Sequence, residues 1–212
     1  MDSIIDRFTN IKSVINNSNV KIVAVSKTFS YSTISPLIDY GHIHFGENKV
    51  QEAQAKWNDV KKTNPDINLH MIGKLQSNKA KDAITLFDYI HSLDNQRLAN
   101  ILAKYENTAN KKLKYFIQVN IGNEKQKSGI SIDLLDDFFY YCSKELKLNI
   151  IGLMAIPPNN AKETIYFKYL MDLNKSLGLK ELSMGMSADY KEALKFETTF
   201  VRIGSSIFGN RI

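Results

Sequence analysis

Residues 89–121 read YIHSLDNQRLANILAKYENTANKKLKYFIQVNI, and the spacing of their apolar residues decides the fold class. Tyr89–Asp94 and Tyr115–Ile121 are short β-rich runs. Between them Leu98, Ile101, Leu102 and Tyr105 recur at the helical period, behind Asp94 or Asn95 as the N-cap. The same alternation extends in both directions. Further β-rich runs occur at Val20–Lys27, His42–Glu47, Asn68–Gly73, Ile150–Ile156, Glu181–Met186 and Val201–Ile207. Helical faces are predicted for Leu134, Leu135, Phe138, Phe139 and Cys142, and for Tyr166, Tyr169, Leu170, Leu173 and Leu177. A leading helix carries Ile4, Ile5, Phe8, Ile11 and Val14 or Ile15 on one side. Eight strand-helix units whose strands read apolar on both faces favour an α/β fold, a single (β/α)8 TIM-type barrel with an additional N-terminal helix. An open doubly wound sheet is the alternative. It would gain support from a G-x-G-x-x-G turn after the first strand, but that strand ends in SKTFS.

Length and composition agree with one filled domain spanning residues 1–212. The 212 residues contain 43% hydrophobic and 24% charged residues, with no Gly/Ser linker or low-complexity tract, which excludes disordered and collagenous classes. No apolar run reaches the roughly 20 residues of a membrane-spanning helix, and the start, MDSIIDRFTNIKSV, lacks the layout of a secretory signal. A cytoplasmic protein without membrane contact is expected. Cys142 is the single cysteine, so neither an internal disulfide nor a cysteine-based metal cluster can form, and it reads as a small core residue. The net charge of +6 raises nucleic acid as a partner, yet only Arg7, Arg97, Arg202 and Arg211 are arginines. The lysines, such as Lys104, Lys111, Lys112, Lys144 and Lys147, are scattered as on a solvated face, so no nucleic-acid partner is expected.

In barrels of this kind the chemistry sits at the carboxyl ends of the strands. The first strand ends in Lys27, a long amine whose partial burial would make it a nucleophile toward an aldehyde or ketone; alone, it would read as a surface lysine closing a strand. After the seventh strand comes Met184-Gly185-Met186-Ser187, with a helix expected near Ala188. After the eighth comes Gly204-Ser205-Ser206, opening a short turn of helix through Ile207 and Phe208. Backbone N–H groups and hydroxyls at such ends can hold a phosphate dianion, as the loops after strands seven and eight of barrels commonly do. Ser187 also suits a plain N-cap, and Gly204 with Ser205 suits close packing at the barrel seam. Arg202, two residues before Gly204 on the same strand face, should point into the barrel mouth and seek an acceptor. An amine, a guanidinium and an anion cradle together match the aldehyde, ring nitrogen and phosphate of pyridoxal phosphate.

The runs KIVAVSK, HFGENKVQEAQAK, HMIGKLQSNKAK, IGLMAI, LSMGMSADYKEA and VRIGSSIFGNR, from about Lys21 to Arg211, resemble the YggS/PROSC family of pyridoxal phosphate homeostasis proteins, relatives of the alanine racemase barrel domain. The resemblance implies pyridoxal 5′-phosphate held as a covalent aldimine to Lys27. It places Ser187, Gly204 and Ser205 at the phosphate, Arg202 at the ring nitrogen, and Asn48 of FGEN in the pocket wall. It implies a monomeric carrier or regulator of the cofactor with indirect effects on amino-acid and keto-acid balance. Its partners would be the cofactor, other B6 vitamers and pyridoxal phosphate-dependent apoenzymes. No catalytic residue is assigned, because racemisation needs a second acid/base that the racemases take from another domain. Lys74 and the loop Gly122–Gly129 depart from the family pattern.

Three alternatives stand beside this reading. A weak pyridoxal phosphate-dependent racemase would use the same anchors, and a Schiff-base aldolase would place a substrate phosphate in the same cradle. A metal-dependent hydrolase would use His42, His44, His70 and His91. The early position of His42 and His44 in the second strand favours hydrogen-bonded interior or bottom-face histidines, so no metal is expected.

Overall fold

The computed structural model describes residues 3–124, 126–158 and 163–209; Lys125 of the loop 122–129 and Arg211 lie outside them. Eight parallel strands, β1 (Lys21–Val25), β2 (His44–Glu47), β3 (Asn68–Met71), β4 (Tyr89–Leu93), β5 (Lys114–Gln118), β6 (Ile150–Met154), β7 (Glu181–Met186) and β8 (Phe200–Ile203), form a closed barrel in chain order. Closure comes from β1, which pairs with β2 on one side and with β8 on the other, Val23 opposite Arg202 and Ala24 opposite Ile203. This is the expected barrel rather than the open sheet. The leading helix α1 (Ile4–Ile15) is present and packs against the chain's last described helix through Arg7, whose Nε donates to the Ile207 carbonyl at 2.7 Å.

The helices between strands are α2 (Tyr31–Asp39), α3 (Val50–Thr63), α4 (Ala80–Leu86), α5 (Gln96–Ala109), α6 (Leu135–Tyr140), α7 (Glu163–Ser176) and α8 (Tyr190–Ala193), and α9 (Ser205–Phe208) follows β8. Local chemistry sets their ends. Ser3 and Asp6 form a reciprocal capping box on α1, and Asn95, rather than Asp94, caps α5 by accepting from the Leu98 N–H at 2.9 Å. The open choice on α1 resolves to Ile15, since Val14 is exposed. Two helical faces differ from expectation. Leu134 is exposed and precedes α6, whose buried side is Leu135 and Phe138, continued by Cys142. On α7 the buried residues are Phe167, Leu170 and Asn174, while Tyr169 is exposed. Asn174 belongs there because its amide accepts from the Leu153 N–H and donates to the Leu179 carbonyl, linking α7 to β6.

Two apolar layers result. The larger lies between strands and helices and includes Ile22, Ala24, Phe45, Trp57, Leu69 and Ile203. The smaller, Val23, Tyr89, Phe116, Met154 and Phe200, fills the barrel interior. The expectation that both strand faces are apolar fails on this inner side. His70, His91 and Ser183 are fully buried there and Arg202 nearly so. They are tolerated because each has a hydrogen-bond partner in the same layer.

Gly152 shows how tightly the wall is closed. It pairs with Glu181 across β6 and β7, and a Cβ at 152 would overlap the Glu181 backbone carbonyl. Gly152→Ala is expected to part these strands and lower stability by about 3 kcal/mol, read as a fall in the thermal midpoint; an unchanged midpoint would contradict this register.

Candidate functional site

Each strand of the barrel ends at the same rim, and the turns after β1, β2, β7 and β8 surround a cavity of about 880 Å³. Lys27, Asn48, Ser187, Arg202, Gly204 and Ser205 all line it. That volume lies within the ordinary range for a small-molecule site. Of the two segments that depart from the family pattern, Lys74 and residues Gln126, Lys127 and Ser128 line the same cavity. Lys74 is at the carboxyl end of the Asn68–Gly73 run, where such a site lies, whereas residues 126–128 are well beyond the end of β5.

Lys27 follows β1 in a tight turn closed by the Phe29 N–H donating to the Ser26 carbonyl at 3.2 Å. The next residue, Thr28, has φ +69°, a left-handed conformation that a β-branched side chain seldom adopts. Such a position persists only where surrounding contacts over-determine it. Those contacts come from Glu47, the last residue of β2, which is fully buried. Its Oε1 accepts from Ser26 Oγ at 2.8 Å, Lys56 Nζ at 2.9 Å and Trp57 Nε1 at 2.9 Å, while Lys56 Nζ also donates to the Ser26 carbonyl at 2.7 Å. The base of the Lys27 turn is therefore clamped to β2 and α3. Sequence reasoning missed this clamp, although Glu47 ends HFGE and Lys56 and Trp57 are consecutive residues on the following helix.

On the opposite wall, Gly185 of β7 takes φ +90°, and a Cβ there would press on Tyr190 and Ala193, so a glycine is needed to turn β7 into α8. Ser187 is not the cap of a helix beginning near Ala188, because α8 starts at Tyr190 behind Asp189. Instead its Oγ accepts from the N–H groups of Gly204 and Ser206, at 3.2 and 3.4 Å. The hydroxyl and these two amides converge on one point at the start of α9, after β8. At Gly204 an added Cβ would stand 3.3 Å from Val25, so its backbone also lies close against β1.

Arg202 is only 5% exposed. Its Nη1 donates to Ser183 Oγ at 2.6 Å and Nη2 to the Ala155 carbonyl at 3.0 Å, both neutral acceptors. Burial lowers its pKa to about 10, a loss that the Asp189 carboxylate opposes through space. The guanidinium remains charged at neutral pH. Lys27, Lys74, Lys127 and Arg202 line the cavity, and among the described residues no carboxylate does. A cavity with that wall favours an anion. Asn48 Oδ1 is buried without a hydrogen-bond partner among the described residues, leaving the side-chain amide with unused capacity.

The histidines lie below this cavity. The rings of His42 and His44 turn to different partners: His42 Nε2 contacts the His44 carbonyl at 2.8 Å, and His44 Nδ1 contacts His70 Nε2 at 3.0 Å. His42 lies in the turn before β2 rather than within the strand. No group of three or more His, Cys, Asp or Glu among the described residues is disposed to hold a metal ion.

Residues 1–211 match the family model described as alanine racemase, N-terminal domain. The chain is 36% identical over 200 residues to the pyridoxal phosphate homeostasis protein of Aquifex aeolicus, covering 90% of this chain and 87% of that protein. The protein of the same name from Escherichia coli is 36% identical over 201 residues, covering 91% and 86%. This chain belongs to the pyridoxal phosphate homeostasis protein family. Among solved structures, PipY of Synechococcus elongatus with PLP bound superposes on this family member with a TM-score of 0.90 at 33% identity, covering 98% of this chain and all of PipY. Alanine racemase of Clostridium difficile shares the barrel alone, with a TM-score of 0.79 at 13% identity, and this chain spans 57% of its length.

Two predictions concern what holds the site. Glu47→Ala would leave Lys56 buried opposite a missing charge and strand two further donors, costing about 3 kcal/mol in denaturant unfolding; a smaller loss than 1 kcal/mol would show that the clamp is absent in solution. The histidines give the protein an acid limit. Burial holds His42 and His44 down at about 4 and His70 and His91 well below the ordinary 6.5, with the charges of Lys21 and Lys114 also acting on His44. Because the folded state keeps them neutral while the unfolded chain protonates near 6.5, stability is full above that pH and falls as pH drops toward 4. For fully buried His70 and His91 the slope approaches about 1.4 kcal/mol per pH unit each. Thermal midpoints measured between pH 7.5 and 5, above the range of ordinary carboxylates, check this; a flat profile would mean that the histidines are hydrated or already charged.

Proposed function

We propose that this chain is a pyridoxal 5′-phosphate-binding protein that acts in cofactor homeostasis, holding the cofactor through Lys27 and exchanging it with its surroundings. The observation that carries the reading is the joint placement of Lys27, Arg202 and the Ser187–Gly204–Ser206 convergence on one cationic cavity. PipY, a relative at 33% identity, has PLP bound, and the homologous proteins carry the homeostasis name.

The residues fit that group chemically. The Ser187 hydroxyl keeps a proton to donate to a phosphate, Ser205 stands at the first position of α9, and the Gly204 and Ser206 amides would turn from Ser187 Oγ to the phosphate when it binds. Arg202 supplies a donor that does not lose its proton at neutral pH, so it suits an unprotonated ring nitrogen. Lys27 supplies the amine, and the unpaired amide capacity of Asn48 supplies a further contact from β2. When bound, the cofactor contributes an aldehyde that condenses reversibly with amines.

Binding and delivery fit this wall better than turnover. Among the described lining residues there is no tyrosine, histidine or carboxylate to work as a second acid/base beside Lys27. The indirect effects on amino-acid and keto-acid balance would then follow from cofactor supply. Its partners in this reading are the cofactor, other B6 vitamers that share its ring, and apoenzymes that accept it. A cytoplasmic monomer, with residues 1–212 as one cofactor-binding domain and neither nucleic acid nor membrane as partner, completes the proposal. No helix of the described residues is long and apolar enough to cross a membrane.

Lys27→Ala is expected to abolish borohydride-fixable attachment of the cofactor while retaining weak reversible binding through the phosphate donors. Intact mass after reduction and the visible absorption of the loaded protein read the two effects. A reduced adduct of normal yield on the variant would overturn the assignment of Lys27.

A further inference from the structure

Arg202 is one end of a hydrogen-bonded file that runs through the barrel to its opposite face. Ser183 Oγ, which accepts from Arg202, lies 2.9 Å from His91 Nδ1; His91 Nε2 lies 2.9 Å from His70 Nδ1; His70 Nε2 lies 3.0 Å from His44 Nδ1. Aromatic rings flank the file, His70 stacking on Tyr89 at 4.2 Å and His91 on Phe116 at 4.3 Å, with Phe200 beside both. His44, at the far end, lines a second cavity of about 950 Å³ under α1 together with Lys12 and Lys21.

Hydrogen-bond counting selects one direction for this file. A guanidinium can only donate, so one lone pair of Ser183 Oγ is committed to Arg202. If His91 Nδ1 also donated to Ser183, the buried serine proton would have no acceptor among the described residues, an outcome that costs free energy in a dry interior. The serine hydroxyl must instead donate to His91 Nδ1, which moves the His91 proton to Nε2. The same exclusion then passes to His70 and to His44. A doubly protonated ring would satisfy some of these contacts, but burial and the nearby Arg202 charge oppose it at His91, and neighbouring histidines and Lys114 oppose it at His70.

We propose that Arg202 fixes the polarity of the whole file, so that His91, His70 and His44 each carry their proton on Nε2, and that Ser183 and His91 are positioning residues for the guanidinium. Neutral acceptors hold Arg202 in place where a contacting carboxylate would cancel its charge. The charge is therefore offset only by the more distant Asp189 carboxylate. Its use against a ring nitrogen rests on the function proposed above; the polarity of the file does not.

The test uses the full chain without ligand, labelled with ¹⁵N in the histidine rings and arginine guanidinium groups. Long-range ¹H–¹⁵N correlation at pH 7.5 should show His44, His70 and His91 as neutral Nε2–H tautomers, with separately resolved Nη–H signals from an Arg202 that does not rotate. An Nδ1–H tautomer or an imidazolium at His70 or His91 overturns the proposal on the wild-type spectrum alone. Two variants then read direction. His44→Gln, whose side-chain oxygen can still accept from His70 Nε2–H, should leave His70 and His91 unchanged. Ser183→Ala should release them into mixed tautomers and bring loss of the resolved Arg202 signals. If His44→Gln flips the file, or Ser183→Ala leaves both rings and Arg202 as they were, polarity is not set from the arginine. Because these signals are read on the ligand-free protein, failure of the cavity to take pyridoxal 5′-phosphate would sink the functional reading without altering this result.

Discussion

A guanidinium taken out of water must find acceptors for its donors, and the interior of this barrel is arranged around that demand. Arg202 meets it with a serine hydroxyl and a backbone carbonyl, neither of which removes its charge. Burial lowers its pKa only to about 10, so the positive charge persists. Polar groups consequently extend into a layer that barrels usually fill with branched aliphatic side chains, and the histidines, Tyr89, Phe116 and Phe200 pack that layer with rings. The polar side of each ring is spent on the next ring, and the flat side on packing.

Barrel closure then brings the ends of the chain together. β1 and β8 are neighbours, so Val25 touches the backbone at Gly204 although the two stand far apart in sequence. An amine from the first turn and phosphate-type donors from the last two turns can share a cavity only because the sheet closes. The left-handed Thr28 and the Glu47–Lys56–Trp57 clamp fix the amine's side of that cavity; Gly185 and the Ser187 hydroxyl fix the other. Both sides of the cavity are thus held by contacts within the barrel rather than by the loops alone.

The comparison with alanine racemase is instructive at the level of fold. The barrel is shared at 13% identity, and this chain spans little more than half of that protein's length. In this chain the cavity wall offers lysines, a guanidinium and amides, and among its described residues no tyrosine, histidine or carboxylate. A shared barrel leaves the chemistry to the residues at its rim.

The sequence by itself determined the eight strand-helix units, the leading helix and the strand-end positions of Lys27, Ser187, Arg202 and Gly204, because periodicity and turn chemistry are local properties of the chain. It misplaced the buried face of α7. A tyrosine at a helical position counts as apolar in a pattern, whereas Asn174 is buried for two backbone contacts that lie in other elements. Of the two roles open to Ser187, the cap is absent, because its hydroxyl accepts from the Gly204 and Ser206 amides that follow β8. The tertiary structure alone decided the Glu47 clamp, the entry of Lys74 and residues 126–128 into the cavity wall, and the alignment of three histidines behind Arg202. The file joins side chains of different strands across the barrel, the clamp joins two strand ends to α3, and the cavity wall joins separate loops; these proximities exist only in the folded chain.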